Sequence, residues 1–224
     1  MRAAKSKYVL FPFLAAELVL YALYWADPFG QNADAVKYAG IVLCFLVALF
    51  FACLGGRSAR ITCVAFAFTL VSDWFLLIRQ DHFEVGLVAF CVVQALYCVR
   101  LGGGKFPKVG LPLRFALAAL AWAALAILHL FTLLTALAAL YFVNLLMNTA
   151  DAFLRARGAG WLFAAGLLLF VGCDVCVGLF NLGAFVSVEL PSALYDFAAY
   201  GMWGFYFPSQ TLIALSAALE DYET

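Results

Sequence analysis

The chain has 224 residues, is 67% hydrophobic and 17% aromatic, and carries only 12% charged residues. A soluble domain is roughly 45–50% apolar and roughly 25% charged, so this chain cannot cover itself with a polar surface and its solvent must be largely lipid. The formal net charge is zero, which leaves no global field to attract nucleic acid or an acidic partner.

A helix crossing the hydrocarbon core needs about 20 residues. Apolar runs of that order, separated by short polar loops, predict spans at 8–25, 34–54, 59–79, 83–101, 110–128, 131–152, 159–181 and 194–217. The first run follows a basic start, as a signal peptide would. Glu17 interrupts it, however, and Tyr21, Tyr24 and Trp25 close it as an aromatic belt does, so it reads as a retained span. The fifth and sixth spans divide a nearly unbroken apolar stretch, 110–154, that is too long for one crossing; His129 is the one residue in it suited to a turn. The expected fold is an all-α transmembrane bundle of eight helices forming a single integral membrane domain over residues 1–224.

The basic residues orient this bundle, because cytoplasmic loops are enriched in Lys and Arg. With the N-terminus inside, the inner segments hold Arg2, Lys5, Lys7, Arg57, Arg60, Arg100, Lys105, Lys108, Arg114, Arg155 and Arg157, and the outer side keeps Lys37 and Arg79, eleven against two. Both termini are therefore expected in the cytoplasm, with the plasma membrane as the site if the source is bacterial. The acidic tail Glu220-Asp221-Glu223 weighs little in this comparison. The seven cysteines lie in apolar runs and read as small buried hydrophobes. Cys173 and Cys176 form a C-x-x-C, but it falls mid-helix without a second pair, and His82 and His129 lie in other segments. No metal site and no cofactor are expected.

Two spans carry an Asp deep inside: Asp73 in the third and Asp174 in the seventh. An Asp at a span centre costs about 2.5–3.5 kcal/mol on insertion scales. Both helices run from inside to outside, and at about 1.5 Å per residue the two carboxyls reach nearly the same depth, somewhat beyond the midplane. Neither has an evident intramembrane Lys or Arg as partner, a combination that points to proton chemistry. Other spans present polar stripes. The sixth has Tyr141, Asn144, Asn148 and Asp151, the fourth Phe90, Gln94 and Tyr97, and the eighth Asp196, Tyr200, Trp203, Phe207 and Gln210; Glu17 lies in the first. Such stripes turn away from lipid, either as hydrogen-bonding contacts between helices or as the wall of a polar cavity that includes both aspartates. A faint internal echo relates Ala65–Asp73 to Gly166–Asp174 and Gln94-Ala95-Leu96 to Gln210-Thr211-Leu212, which suggests two parallel four-helix repeats.

These residues resemble the YhhN-like family of lysoplasmalogenases. The family's small-residue-Asp segment corresponds to Leu70-Val71-Ser72-Asp73-Trp74-Phe75-Leu76-Leu77, and its following helix to Gly86–Tyr97. A second segment corresponds to Ala165–Asp174, and the last-span pattern Y-x-x-x-Q-x-L-I-A to Tyr206–Ala214. The chain departs from the pattern at Gln94, where the family has His, at Cys173, where it has Ser, and at Lys37-Tyr38, where it often has Lys-Pro. A Gln cannot shuttle a proton as His can.

The resemblance implies hydrolysis of the vinyl-ether bond of a lysoplasmalogen or related lysolipid, with Asp73 and Asp174 as the acid–base pair. Gln94, Asn144, Asn148, Tyr200 and Gln210 would orient headgroup or water. The implied partners are the lipid substrate and the bilayer. Two alternatives stay open on the residues alone: a lipid-binding membrane protein without catalysis, and a small proton-coupled transporter.

Overall fold

A computed structural model describes residues 2–104, 110–187 and 190–220. Lys105, Lys108, Asp221 and Glu223 lie outside the described residues. Among the described residues eight α-helices follow one another: α1 Arg2–Ala26, α2 Ala33–Cys53, α3 Arg57–Asp73, α4 Phe83–Leu101, α5 Leu111–Ile127, α6 Leu133–Arg155, α7 Gly160–Asn181 and α8 Ser192–Glu220. A π-helical turn, Trp74–Arg79, extends α3, and a 3-10 turn, Leu182–Ala184, extends α7. No strand occurs among the described residues.

Among the described residues, six helical segments are long and apolar enough to cross a membrane. They are α1, α2, α3 with its π-turn, α4, α6, and α7 with its 3-10 turn. At 17 residues α5 is short of that length. α8 has 29 residues but carries Asp196, Ser209, Gln210, Thr211 and Ser216 along its length, which dilutes its apolar content. Side chains such as Phe11, Phe115, Ile127 and Leu154 point outward, as lipid-facing residues of a multi-pass membrane protein do. The turn expected at His129 is present. His129 takes a left-handed φ of 56°, and α6 starts at a capping box in which the Thr132 and Thr135 side chains each accept the other's backbone N–H. α5 and α6 thus form a hairpin.

The helices α2, α3, α4, α6, α7 and α8 form a closed ring, each packed on the next, with α8 returning to α2 and α3 also reaching α8. α1 lies outside the ring against α2 and α8, and α5 lies outside against α6. The pattern repeats with an offset of four helices. α1 on α2 matches α5 on α6, the run α2–α3–α4 matches α6–α7–α8, and the α4–α6 junction matches α8–α2. This agrees with the faint echo in the sequence.

The α7–α8 pair is the most extensive contact, and small residues make it possible. A Cβ added at Gly166 would sit 3.0 Å from the Ser209 carbonyl oxygen and 3.2 Å from the Ile213 backbone nitrogen. The Ser209 hydroxyl donates to the Gly166 carbonyl at 2.7 Å. Further along, Cys176 fills the space that Gly201 leaves open, and a Cβ at Gly201 would meet its Sγ at 2.7 Å. The cysteine therefore acts as a buried hydrophobe, as expected. On the other side of α8, Phe207 sits over Gly40 of α2.

Pro208 lies inside α8. It has no N–H to give to the carbonyl one turn back, at Gly204. The Tyr21 hydroxyl of α1 donates to that oxygen at 2.9 Å, and the Tyr24 hydroxyl donates to the Tyr200 carbonyl at 2.7 Å. α1 is thus fastened to backbone acceptors of α8.

Gly166→Leu is expected to destabilise the protein by about 1–3 kcal/mol, because backbone atoms stand where the new side chain must go. Gly178→Leu, on the same helix with nothing within 4 Å of an added Cβ, serves as the control. Thermal unfolding in detergent should show a clear loss for the first and little change for the second.

Candidate functional site

Asp73 is the last residue of α3, at the point where α-helical winding gives way to the π-turn. A π segment widens the winding and re-aims the side chains around it. The Ser72 hydroxyl donates to the Gly86 carbonyl at 2.8 Å and ties this junction to α4. Leu76 of the π-turn packs so tightly on Gly86 that a Cβ there would lie 2.7 Å from it. The junction is held on both sides, and Asp73 is directed inward, only 4% exposed.

The Tyr206 hydroxyl of α8 donates to Asp73, at 3.1 Å from Oδ2 and 3.3 Å from Oδ1. Tyr38 of α2 lies within electrostatic reach of the Asp73 carboxyl, and its hydroxyl donates to the Leu70 carbonyl at 3.3 Å. Asp73 thus has one phenol bonded to it and a second, from another helix, in its vicinity.

Asp174 lies in the C-terminal half of α7. As a residue it is only partly buried, but its Oδ2 is fully enclosed without a hydrogen-bond partner among the described residues. The Tyr141 hydroxyl of α6 faces this carboxyl without completing a hydrogen bond of good geometry. Each aspartate therefore has a phenol supplied by the helix preceding its own: Tyr38 for Asp73 and Tyr141 for Asp174.

The two carboxyls are linked by one face of α7. Phe170, Cys173 and Asp174 share that face by their spacing. The Phe170 ring lies 5.3 Å from that of Tyr206 and 6.2 Å from that of Tyr141, centroid to centroid. Cys173 is buried within electrostatic reach of both aspartates. The sequence runs Asp73, Tyr206, Phe170, Tyr141, Asp174 in space, drawn from α3, α8, α7, α6 and α7. Such a cluster can hold two acidic groups and two hydroxyl donors in a setting shielded from bulk water.

The polar stripe of α6 divides instead of acting as one face. Asn148 and Tyr141 turn into the ring. Asn144 and Asp151 turn toward α5, where Arg114 donates to Asn144 Oδ1 at 3.2 Å and pairs with Asp151 at 2.9 Å. The reason is Arg114, which is only 5% exposed and draws the nearest oxygens to itself. Asn144 is therefore outside the aspartate cluster. Tyr200 is outside it as well. It is 39% exposed, with its ring stacked against Trp25 at 6.3 Å and edge-on to Phe29 at 5.1 Å, as part of an aromatic belt.

Gln94 and Asn148 meet each other in the core. Asn148 Nδ2 donates to Gln94 Oε1 at 2.9 Å and to the Gln94 carbonyl at 2.8 Å. Gln94 Nε2, Asn148 Oδ1, Gln210 Oε1 and the Tyr97 hydroxyl are buried without partners among the described residues. Unpartnered buried polar atoms are uncommon, and their concentration on α4, α6 and α8 leaves free hydrogen-bonding capacity inside an otherwise apolar ring. Glu17 of α1 is 4% exposed and accepts from Thr211 at 3.4 Å and from Cys44 at 3.6 Å, which joins α1 to α8 and α2. Among the described residues no three His, Cys, Asp or Glu side chains group to hold a metal ion.

Tyr206 and Tyr38 were not among the expected site residues. Tyr206 could have been found from the Y-x-x-x-Q pattern, since it precedes Gln210 by one helical turn and the two share a face. Tyr38 carried no comparable signal.

The YhhN family model matches residues 32–217, most of the chain. No curated protein and no solved structure gives a significant match.

The Gln94–Asn148 contact predicts unequal costs. Asn148→Leu strands Gln94 Oε1 and should cost about 1–3 kcal/mol. Gln94→Leu leaves Asn148 its bond to the backbone carbonyl and should cost less. The double variant should be more stable than the sum of the two losses, which a double-mutant cycle of thermal unfolding in detergent measures.

Proposed function

Because this chain belongs to the YhhN family, which includes lysoplasmalogenases, we propose that it hydrolyses the vinyl-ether bond of a single-chain ether lipid, with Asp73 and Asp174 as the reacting carboxyls. The observation that supports the reading most is that each of two carboxyls stands beside a phenol, and the rings of both phenols pack on Phe170 inside a membrane bundle.

The chemistry needs two such groups. One carboxylic acid gives its proton to the alkenyl carbon remote from oxygen, and the adjacent carbon becomes an oxocarbenium ion. The other carboxylate stabilises that cation and takes a proton from the attacking water. The resulting hemiacetal collapses as the second carboxyl passes the water-derived proton to the leaving glycerol oxygen and the hemiacetal hydroxyl gives its proton to the first, so that aldehyde and glycerophospho-alcohol depart and both carboxyls return to their starting states. Paired carboxylates divide the same labour in glycoside hydrolysis. Tyr206 and Tyr141 position the carboxyls, and Gln94, Asn148 and Gln210 offer free polar atoms to water or headgroup. Asn144 bonds Arg114 and Tyr200 lies in the outer aromatic belt, so this reading assigns them no role at the carboxyls.

A second reading draws on Gln94, which stands where the family has His and cannot carry a proton. In that reading the chain binds lysolipid without turning it over. One assay separates the two. Purified protein in detergent, given lysoplasmalogen, should release aldehyde. Asp73→Asn and Asp174→Asn should each reduce release by at least ~100-fold, the scale of general acid–base catalysis, with gel-filtration profiles unchanged. Full activity in either variant refutes the paired mechanism. Binding with no release in the parent protein supports the second reading.

We place both termini in the cytoplasm, following the eleven-to-two division of basic residues. Single cysteines introduced near Arg57 and near Gln80 in a cysteine-free variant should differ in labelling by an impermeant thiol reagent on intact cells. Gln80 should react and Arg57 should not.

A further inference from the structure

Lys37 lies in the first turns of α2 with a side chain only 10% exposed. A Lys withdrawn from water inside a membrane bundle is costly, and such residues mark the paths of charged ligands and ions. Its ammonium stands over two rings, 5.6 Å from the Trp203 centroid on α8 and 6.0 Å from the Tyr24 centroid on α1. Asp34, one turn earlier on α2, accepts one N–H at 2.9 Å and is itself 43% exposed. A surface ion pair of this kind contributes little to stability, which is a weak reason to bury an ammonium. An ammonium carries three donors. Among the described residues Asp34 takes one of them, and the rings attract the charge without supplying an oxygen acceptor. The remaining donors suit an anion with more than one oxygen.

The place of this ammonium relative to the carboxyls is specific. Trp203 packs edge-on against Tyr206, with ring centroids 4.9 Å apart, and the Tyr206 hydroxyl donates to Asp73. Trp203 precedes Tyr206 by three residues, so the ring beneath the ammonium is rooted about 4.5 Å from Tyr206 along α8. In a lysolipid five bonds of about 1.5 Å join the ether oxygen to phosphorus, a span of about 6 Å when extended. The two spacings are of one size. A ligand with its ether at Asp73, pointing along α8 toward the end where α2 and α8 begin, brings its phosphate to Lys37.

We propose that Lys37 binds the phosphate of the single-chain ether lipid, with Trp203 separating the phosphate site from the carboxyls. The proposal rests on the lysolipid reading above and adds which residue takes the negative charge of the headgroup. Asp34 holds the ammonium when no ligand is bound. The two non-bridging oxygens of a phosphodiester accept the donors that Asp34 leaves, as charge-assisted hydrogen bonds.

Binding to the detergent-purified protein tests this without turnover. The probes are a 1-O-alkyl-glycero-3-phosphomethanol, whose headgroup has the phosphate charge and no amine, and the 1-O-alkylglycerol of the same chain length. Neither contains a vinyl ether. The ratio of the two affinities is compared between variants, so partition into micelles cancels. Lys37→Met should lower the preference for the phosphorylated probe about tenfold, the change that ~1.4 kcal/mol of lost binding produces. Lys37→Arg should keep it near the parent value. Asp34→Asn, which removes the carboxylate competing for the ammonium, should raise it.

A purely structural ion pair would change both affinities alike and leave the ratio alone. An unchanged ratio in Lys37→Met therefore overturns the proposal. So does an unchanged or lowered ratio in Asp34→Asn, a result that stands even where Lys37→Met does not fold. A ratio that falls in Lys37→Met, with no aldehyde release from lysoplasmalogen by the parent protein, refutes the hydrolase and leaves the phosphate site standing. Aldehyde release with an unchanged ratio does the reverse.

Discussion

The close contact between Gly166 and Ser209 sets the position of α8, and α8 sets most of the rest. Because no side chain intervenes at Gly166, the backbones of α7 and α8 approach until the Ser209 hydroxyl reaches the Gly166 carbonyl. From that fixed line α8 reaches several other helices. Tyr206 meets Asp73 on α3, Phe207 covers Gly40 on α2, Thr211 meets Glu17 on α1, and Ser216 accepts from Arg100 on α4. A shift of α8 along α7 would break these contacts together. The Asp73–Tyr206 bond is therefore a consequence of how two small residues let two backbones meet.

Lipid surroundings explain why so many polar groups are tied off. In hydrocarbon an unsatisfied donor or acceptor has no water to turn to. Arg114 is satisfied by Asp151 and Asn144, Glu17 by Thr211 and Cys44, and the carbonyl freed by Pro208 by Tyr21. Among the described residues, the buried side-chain atoms without protein partners are Asp81 Oδ1, in the loop before α4, and Asp174 Oδ2, Tyr141, Tyr97, Gln94 Nε2, Asn148 Oδ1 and Gln210 Oε1, which belong to the ring helices α4, α6, α7 and α8. The groups that serve architecture are closed off, and those facing the ring interior keep capacity for a ligand or water.

Much of this architecture was legible in the sequence because hydrophobic length and turn chemistry are local properties. The eight helices fall close to the expected runs, and even the weak divide at His129 is real, secured by the Thr132–Thr135 capping box that follows. What could not be read was which direction each polar residue faces. Asn144 and Asn148 are one helical turn apart, yet only Asn148 enters the ring, because Arg114 on a neighbouring helix claims Asn144. Tyr38 was invisible for a similar reason. Its nearness to Asp73 depends on the packing of α2 against α3, a contact between segments that no local pattern records. The π-turn after Asp73 was also unforeseen, since an apolar run reads the same whether its winding is α or π.

The offset-of-four repeat carries an implication about symmetry. Two identical halves related by a two-fold axis would present two carboxyls with identical surroundings, so neither would be fixed as the protonated one. A repeat fused into one chain is free of that equality. Here the divergence is visible atom by atom: one aspartate is bonded by the phenol of α8, and its counterpart faces a phenol of α6 with an oxygen left open. Covalent fusion of the halves thus converts a degenerate pair into two distinguishable sites within one frame.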